Sequence, residues 1–215
     1  TRYFSSAASD VYKRQELTGP SLSRLRPKLK QTAFALWGLY LFLTLMEFLL
    51  LYFSGSMNLF DAVNHSLTTM PSGGFSTHDA SIGFYDSFLV ESIIIIFMFL
   101  AGVNFTLLWF IRDGDFKRAF GDEEFRNYVV YITVAILAVF VALVASGTSA
   151  GRSLRDSMFQ VISIGTSTGY TSTDYMDASW PLVTHLILFI LMVVGASAGS
   201  TSGGSVSYTH LRAHE

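Results

Sequence analysis

The sequence predicts an all-α polytopic membrane protein built from repeated units of helix, re-entrant pore loop and helix. One reason is composition: 51% of the residues are hydrophobic and 14% are charged, whereas soluble domains carry about a quarter charged residues. A second is the presence of apolar runs of about 20 residues, long enough to cross a hydrocarbon core. The third is a pair of polar Gly/Ser/Thr loops, 71–79 and 165–174, each lying between apolar segments. Polar backbone is tolerated at membrane depth only where protein buries it or where it lines a water-filled cavity.

The same composition argues against several other classes. The net charge of −2 is too small to indicate nucleic acid as a partner. Without cysteine there is neither a disulfide framework nor a thiolate metal site. His65, His78 and His185 lack the spacing of metal ligands. The run Gly195–Gly204 lacks the Lys-Ser/Thr ending of a phosphate-binding loop. We therefore expect no zinc site, no bound nucleotide and no nucleic acid.

Both ends of the chain differ in character from the rest. Ser5–Gln15 and Val206–Glu215 resemble translated sequencing-adapter sequence, and the apolar patterning stops abruptly at both borders. We interpret residues 1–15 and 205–215 as non-native tails and expect the natural protein to continue beyond both of them. Ordinary terminal tails are the alternative.

Residues 16–112 form the first predicted membrane unit. Its parts are a crossing, a short amphipathic helix, a polar loop and a returning crossing, at Ala33–Phe53, Phe60–Thr69, Pro71–Asp79 and Phe88–Ile111. Lys and Arg residues precede the first crossing and reappear in a predicted cytoplasmic loop, 113–126, with none between 31 and 111. Because positive residues collect on the cytoplasmic side, the chain goes out and comes back, and the polar middle is a re-entrant hairpin.

Residues 127–204 repeat this pattern. The corresponding parts are Tyr128–Ser146, Ser153–Ile164, Gly165–Asp174 and Trp180–Val194. Superposing the two loops aligns Gly74 with Gly169, an offset of 169 − 74 = 95 residues. Internal repeats of this kind are common in transport proteins. Arg152 and Arg155 fall on the outer side, against the charge rule, and are expected to be exposed.

The second outgoing helix is predicted to be broken. Its apolar run, Trp180–Val194, spans only about 22 Å at 1.5 Å per residue, less than a core of about 30 Å. Four glycines follow within Gly195–Gly204, and each costs about 1 kcal/mol in a helix. We expect this segment to unwind within the membrane and to lie beneath the pore. A plain helix end is the alternative.

The two loops suit a weakly hydrated monovalent cation. Four such hairpins around an axis would close a pore in which strand carbonyls replace the hydration shell of the ion. A glycine lets those carbonyls turn inward, since a side chain would obstruct that conformation. Hydroxyl groups add neutral oxygens, and the loop interiors lack the carboxylates that a divalent cation prefers. The candidate ion-binding residues are Ser72, Gly73, Gly74, Phe75, Thr166, Ser167, Thr168, Gly169 and Tyr170.

Four stretches together resemble the Trk/Ktr potassium-transporter family. They are Gly73–Gly83 (GGFSTHDASIG), Ala101–Phe105 (AGVNF), Ile162–Tyr170 (ISIGTSTGY) and Ala198–Gly204 (AGSTSGG). The similarity covers roughly Ser21 to Gly204. The family has four pore repeats in a potassium-channel-like arrangement, and this chain is similar to the second and third repeats of its membrane subunit.

The resemblance implies a potassium uptake transporter or channel subunit rather than an enzyme, with K⁺ as the transported ion and no cofactor. It implies a filter with one potassium-binding glycine per repeat, here Gly74 and Gly169. It also implies an intramembrane gating loop, for which the candidate residues are Gly195, Gly199, Ser200, Thr201, Gly203 and Gly204. The family further implies a lipid-embedded homodimer in the bacterial inner membrane, regulated by a cytosolic nucleotide-binding subunit of RCK type. Permeation would be passive or coupled to an ion gradient.

Acidic residues support an alternative from another class. Glu47 lies within the first crossing and Glu91 near the outer end of the returning one, and an intramembrane carboxylate is a functional candidate by default. An intramembrane enzyme or proton relay could use both, although Glu47 could equally bond buried groups of the pore helix. Asp79 and Asp174 follow the loops, where they either enrich cations at the outer mouth or close Asx turns. A membrane scaffold without transport is a third reading, and it leaves the repeated loops unexplained.

Overall fold

A computed structural model describes residues 22–112, 114–177 and 179–202, and side chains from residue 33 onward except that of residue 118. The chain divides into two compact units, Thr1–Leu39 and Tyr40–Glu215. The first unit contains, within its described part, the beginning of a helix. All the functional residues discussed below belong to the second unit. The predicted tails, 1–15 and 205–215, lie outside the described residues.

The first repeat begins with two helices and a short 3₁₀ turn. Helix α1 spans Leu22–Phe53, α2 spans Leu59–Thr69, and the 3₁₀ turn spans Ser81–Tyr85. The start of α2 is fixed by Asn58, whose side-chain oxygen accepts a hydrogen bond from the amide of Asp61 at 2.8 Å. A side-chain acceptor at this position satisfies one of the amide groups that the first helical turn leaves unpaired.

The predicted returning crossing, Phe88–Ile111, is not one helix. It consists of α3 (Phe88–Ala101) and α4 (Phe105–Arg112), whose axes differ in direction by 105°. At the break, the carbonyls of Ala101 and Gly102 accept hydrogen bonds from the amides of Thr201 and Ser197. Glycine is required at 102, because a Cβ would come within 2.9 Å of the Thr166 methyl group and within 3.1 Å of the Tyr128 ring. The side chain of Asn104 then accepts a hydrogen bond from the amide of Thr106 at 2.9 Å and begins α4.

The second repeat is preceded by a helical connection. Helix α5 spans Phe116–Gly121, and α6 spans Glu123–Ala145, so that it begins five residues before the predicted crossing and inside the predicted loop 113–126. Asp122 accounts for this early start, because its carboxylate accepts a hydrogen bond from the amide of Phe125 at 3.0 Å. Acidic residues in the first helical turn add a favourable interaction with the helix dipole.

Helix α6 presents apolar residues on two sides. One stripe packs inward and contains Tyr128, Ile132, Ala135, Val139 and Leu143. Another stripe is exposed and contains Val130, Val134, Leu137 and Val141. A helix that is apolar all round is typical of a membrane span. By length and composition, α1 from Ala33 and α6 are each able to cross a membrane, and the bent pair α3–α4 makes a third candidate.

Helix α7 (Ala150–Gly165) lies at the centre of the described part of the second unit. It packs against α3, α6 and α8, the last of which spans Leu182–Val194. Its final two turns, from Phe159 onward, are buried. Helix α8 ends at Gly195, which has a φ of +72°, and residues 195–202 form no helix. The helix therefore stops where the sequence predicts the break.

Candidate ion pathway

After α2 the first loop reverses direction, and the carbonyl oxygen of Thr68, in the last turn of α2, holds this reversal by hydrogen bonds. That oxygen accepts hydrogen bonds from the amides of Gly73 at 2.8 Å and Gly74 at 3.1 Å. Ser72, with φ +56°, and Gly74, with φ +64°, make the left-handed turns that this reversal requires. The Thr68 hydroxyl lies 2.8 Å from the carbonyl oxygen of Phe75 and donates to it. The loop is thus fixed to its helix at both ends.

The second loop follows the same path on Ser163 of α7. The Ser163 carbonyl accepts hydrogen bonds from the amides of Thr168 at 2.9 Å and Gly169 at 3.1 Å. Ser167 and Gly169 have φ values of +57° and +88°. The Ser163 hydroxyl donates to the carbonyl oxygen of Tyr170 at 2.6 Å.

These bonds relate the two loops residue by residue. Each donor and acceptor in these three bonds of the first loop has its counterpart 95 positions later, for example Thr68 and Ser163 (163 − 68 = 95). The offset predicted from the sequence is therefore confirmed at the level of individual hydrogen bonds. The carbonyl oxygens of Phe75 and Tyr170 each accept a hydrogen bond from a helix hydroxyl, which leaves each of them a second lone pair.

The loops lie side by side at their glycines. A Cβ at Gly74 would overlap the carbonyl oxygen of Thr168 and lie 2.8 Å from its carbonyl carbon. Only glycine fits there, because the obstructing atoms are backbone. Among the described residues, the carbonyl oxygens of Gly73, Gly74, Thr168 and Gly169 accept no hydrogen bond. The arrangement thus leaves unpaired backbone oxygens along two adjacent strands.

The hydroxyl groups beside the second loop are largely engaged. Thr166 donates to the carbonyl of Ile162 at 2.8 Å, and its oxygen lies 2.9 Å from the hydroxyl of Thr168. Both threonines are buried, whereas Ser167 and Gly169 are exposed. The threonine side chains therefore brace the loop against its own helix.

The segment 195–202, which we call the Gly-rich segment, contacts the break between α3 and α4. The amide of Ser197 donates to the carbonyl of Gly102 at 3.1 Å, and the amide of Phe105 donates to Gly199 at 3.2 Å. A Cβ at Gly199, which has φ +74°, would lie 3.2 Å from the side chain of Asn104. The two interruptions therefore supply hydrogen-bond partners to one another.

The Gly-rich segment also touches the first loop. The Ser72 hydroxyl lies 2.9 Å from that of Ser202 and 3.3 Å from that of Thr201. At its other end, the amide of Ala198 donates to the carboxylate of Glu124 in the first turn of α6 at 2.6 Å. The candidate gate residues Gly203 and Gly204 lie outside the described residues.

Comparison with known proteins agrees with this geometry. The family model described as TrkH, cation transport protein, matches residues 11–211. The chain belongs to the TrkH family of cation transport proteins. The match extends into both predicted tails, and the family resemblance expected from the four stretches is confirmed.

Relatives within this family are named as potassium uptake proteins. The Trk system potassium uptake protein TrkH of Escherichia coli K12 is 39% identical over 195 residues, which cover 89% of this chain and 40% of the relative. TrkH of Vibrio parahaemolyticus is 36% identical over 197 residues with the same coverage. The crystal structure of the potassium transporter TrkH from Vibrio parahaemolyticus matches with a TM-score of 0.77 and 37% identity, covering 83% of this chain and 38% of that chain. The chain thus spans about two fifths of the length of these TrkH proteins.

Within this TrkH-family fold, Arg155 is not the exposed residue that the sequence suggested. Its guanidinium group forms two bonds to the Glu91 carboxylate, 2.5 Å from Nε to Oε2 and 2.8 Å from Nη2 to Oε1. Glu91 is only 2% exposed. The pair joins α7 of the second repeat to α3 of the first, and it occupies Glu91 fully. Both oxygens of Glu91 thus bind Arg155, which gives this carboxylate a structural role between the two repeats and argues against the proton-relay alternative.

Glu47 is the other carboxylate of that alternative, and it is fully buried in α1. Neither of its oxygens meets strict hydrogen-bond geometry with a described residue. The Thr69 hydroxyl, in the last turn of the pore helix α2, nevertheless interacts with the Glu47 carboxylate, which favours the structural role that the sequence left open for Glu47. Among the described residues there is also no group of three or more His, Cys, Asp or Glu side chains suited to a metal ion.

Asp61, which the sequence did not single out, closes the first loop onto α2. Its carboxylate accepts a hydrogen bond from the hydroxyl of Thr77 at 2.6 Å and lies 3.4 Å from Nε2 of His78. Burial raises the pKa of Asp61, but these hydrogen bonds outweigh it and leave the pKa below its ordinary value. The charged form of Asp61 therefore holds the outer part of the loop.

Of the two aspartates that follow the loops, Asp174 closes an Asx turn. Its carboxylate accepts a hydrogen bond from the amide of Met176 at 2.9 Å. This is the local role that the sequence left open beside cation enrichment.

Proposed function

We propose that this chain supplies two of the four pore loops of a potassium uptake transporter, and that K⁺ passes along these loops with backbone carbonyls replacing its water. The observation that carries the proposal is the set of unpaired carbonyl oxygens at Gly73, Gly74, Thr168 and Gly169 on two strands with the same bonded path. Carbonyl oxygens arranged in this way are what a potassium filter requires.

The proposed ion positions are Gly74 and Gly169. Both have positive φ values, which turn the peptide groups at the glycines in a way that other residues rarely adopt. Of the other candidates, Phe75 and Tyr170 have carbonyls bonded to helix hydroxyls, which fix the strands while a second lone pair on each oxygen can still face the ion. Ser72, Thr166, Ser167 and Thr168 complete the neutral surroundings of the ion.

We further propose that the Gly-rich segment, with its continuation through Gly203 and Gly204, gates the pathway. Its hydroxyl contacts with Ser72 support this role, because they connect the segment to the residue that precedes the first filter glycines. The positive φ of Gly195 and Gly199 allows the segment to leave the helical path of α8. Movement of this segment would then open or close the route beneath the loops.

The complete protein is proposed to be a multi-pass homodimer of the bacterial inner membrane under the control of an RCK-type subunit. This assembly is what the family resemblance implies, and the names of the relatives support its function as potassium uptake by a Trk system. The bond between Glu124 and Ala198 connects the start of α6, which follows the predicted cytoplasmic loop, to the Gly-rich segment. A regulator bound on that side could act through this contact.

The test is potassium-uptake rescue in a transport-deficient strain carrying the full-length natural gene. Gly169→Asp should abolish uptake without lowering membrane expression, because it adds a charged side chain at a proposed ion position. Glu47→Gln is the matched control and should retain uptake, because the proposed pathway does not use its carboxylate. Uptake that survives Gly169→Asp while Glu47→Gln abolishes it would overturn the filter assignment.

A further inference from the structure

The contact between the two loops is directional. Tyr170, the residue after the second filter glycine, is fully buried although its counterpart in the first loop is not. Its hydroxyl lies 2.6 Å from the Thr68 oxygen and 3.2 Å from the carbonyl of His65, both on α2 of the first repeat. The aromatic ring of the second repeat is thus inserted behind the loop of the first.

The counterpart of Tyr170 has no such site in this chain. Phe75 is 75% exposed, whereas Tyr170 is 0% exposed. The glycines show the complementary asymmetry. The position of a Cβ on Gly74 is filled by the Thr168 carbonyl of the second repeat, whereas no atom lies within 4 Å of that position on Gly169.

One side of each loop is therefore covered by the other loop, and one side of each is open. Such a head-to-tail contact does not close on itself and continues to further units, forming a ring where the rotation allows it. The open aromatic side of the first loop is Phe75, and the open glycine side of the second loop is Gly169. Since the relatives are about two and a half times as long as the matched region, the complete protein has chain available for further units.

We propose that Phe75 inserts against the last turn of the pore helix in the unit preceding the first repeat of the complete protein, as Tyr170 inserts against α2. This inference rests on the proposed function only in taking both loops as members of one ring. Phe75 lacks the hydroxyl that Tyr170 presents to Thr68. The receiving site therefore has to offer Phe75 an apolar pocket and no hydrogen-bond partner, whereas the hydroxyl at the position of Thr68 is needed by its own loop.

The experiment is site-specific photocross-linking in the full-length natural protein, purified in lipid nanodiscs. A photoreactive benzoylphenylalanine replaces Phe75 in one variant and Tyr170 in another, and adducts are mapped by mass spectrometry. The Tyr170 variant is the matched control and should cross-link to the segment from His65 to Thr69. The Phe75 variant should cross-link within the same polypeptide to the pore helix of the preceding unit.

Other outcomes overturn the proposal. An adduct of the Phe75 variant with lipid, with a second copy of the chain or with no protein segment would contradict the insertion. A Tyr170 variant without an adduct on α2 would remove the contact on which the argument is built. None of these results depends on ion transport, so a failure of the proposed function in uptake assays would be distinguishable from a failure of this inference.

A thiol-accessibility measurement covers the case in which the bulky photoreactive group disturbs folding. In a background without other cysteines, Phe75→Cys and Tyr170→Cys should both resist a maleimide in the folded protein and react after denaturation. Met176→Cys, which replaces a residue exposed in the outer loop, should react in the folded protein and reports access of the reagent. A Phe75→Cys thiol that reacts as fast as that of Met176→Cys would refute the insertion.

Discussion

Gly74→Ala is the most informative single change in the proposed filter. A Cβ at this position would overlap the carbonyl oxygen of Thr168 on the neighbouring strand. That oxygen belongs to the backbone of a strand whose amides at Thr168 and Gly169 donate hydrogen bonds to the Ser163 carbonyl. It therefore cannot rotate away as a side chain would. The substitution should therefore displace the strands from each other at a proposed ion position.

The expected cost has two parts. An L-residue in the left-handed region costs about 1–2 kcal/mol, and forcing an extra methyl group into a packed site typically costs about 1–3 kcal/mol. Gly55→Ala separates the backbone cost from the overlap cost. Gly55 has φ +74° but no atom within 4 Å of its Cβ position, so the substitution there carries only the backbone cost. If the overlap raises the activation free energy of permeation by about 2 kcal/mol, the uptake rate falls about 30-fold.

The assay is initial-rate uptake of K⁺ and Na⁺ by the full-length protein in a transport-deficient strain, corrected for membrane expression. Gly55→Ala should transport K⁺ at the wild-type rate, because its strain lies outside the pathway. Gly74→Ala should lose at least tenfold in K⁺ rate or lose discrimination against Na⁺. Unchanged rate and selectivity in Gly74→Ala would refute the close approach of the two strands as a feature of the conducting protein.

Three further outcomes are expected. Arg155→Leu should lower stability by about 3 kcal/mol, measured by thermal unfolding in detergent, because the buried Glu91 carboxylate loses its partner; Glu91→Leu combined with Arg155→Leu should recover most of that loss, and equal instability of both variants would contradict the pairing as the cause. Ser72→Ala should increase K⁺ leak about fivefold in the absence of the regulator, since the loss of one hydroxyl contact is worth about 1 kcal/mol; an unchanged leak would argue against the contact with the Gly-rich segment. The lowered pKa of Asp61 stabilises the folded state above pH 3.8, the ordinary value, and this contribution disappears as the pH falls through the lower folded value. The melting temperature of Asp61→Asn should accordingly change less than that of the wild type between pH 7 and pH 3, and parallel curves would refute this role.

The repeated loops could be predicted from the sequence because their information is local. Small hydroxyl residues and glycine recur 95 positions apart, and the bonds from Thr68 and Ser163 to their own loops follow the same register. A short chain segment that folds back on its own helix needs only the right residue types at fixed offsets. The end of α8 at Gly195 was predictable for the same reason, since consecutive small residues disfavour a helix.

The features that the sequence did not predict depend on distant partners. Arg155 was expected to be exposed because it falls on the predicted outer side, and its partner Glu91 lies 64 positions away in sequence. The bend after α3 was missed because a single glycine at 102 is compatible with a continuous helix, and the amides that bond to the carbonyls at the break, those of Ser197 and Thr201, lie about 100 positions away. The buried position of Tyr170 likewise depends on the first repeat.

The two helix interruptions explain each other. A break in one apolar helix exposes amide and carbonyl groups, and an unpaired polar group in a nonpolar interior is costly. Here the same offset of 95 relates Gly102 to Ser197 and Asn104 to Gly199, and the amide of Ser197 bonds to the carbonyl of Gly102. Two breaks at matching positions can thus satisfy groups that either break alone would leave unpaired.

This pairing also sets a condition on gating. Any movement of the Gly-rich segment away from the first repeat must break at least the backbone bonds from Ser197 to Gly102, from Phe105 to Gly199 and from Thr201 to Ala101. At about 0.5–1.5 kcal/mol for each bond, the observed arrangement is favoured by roughly 1.5–4.5 kcal/mol from these contacts alone. The proposed gating movement therefore requires an input of comparable size. The Glu124 carboxylate, which holds the amide of Ala198 at 2.6 Å, is the contact through which an event on the cytoplasmic side could supply it.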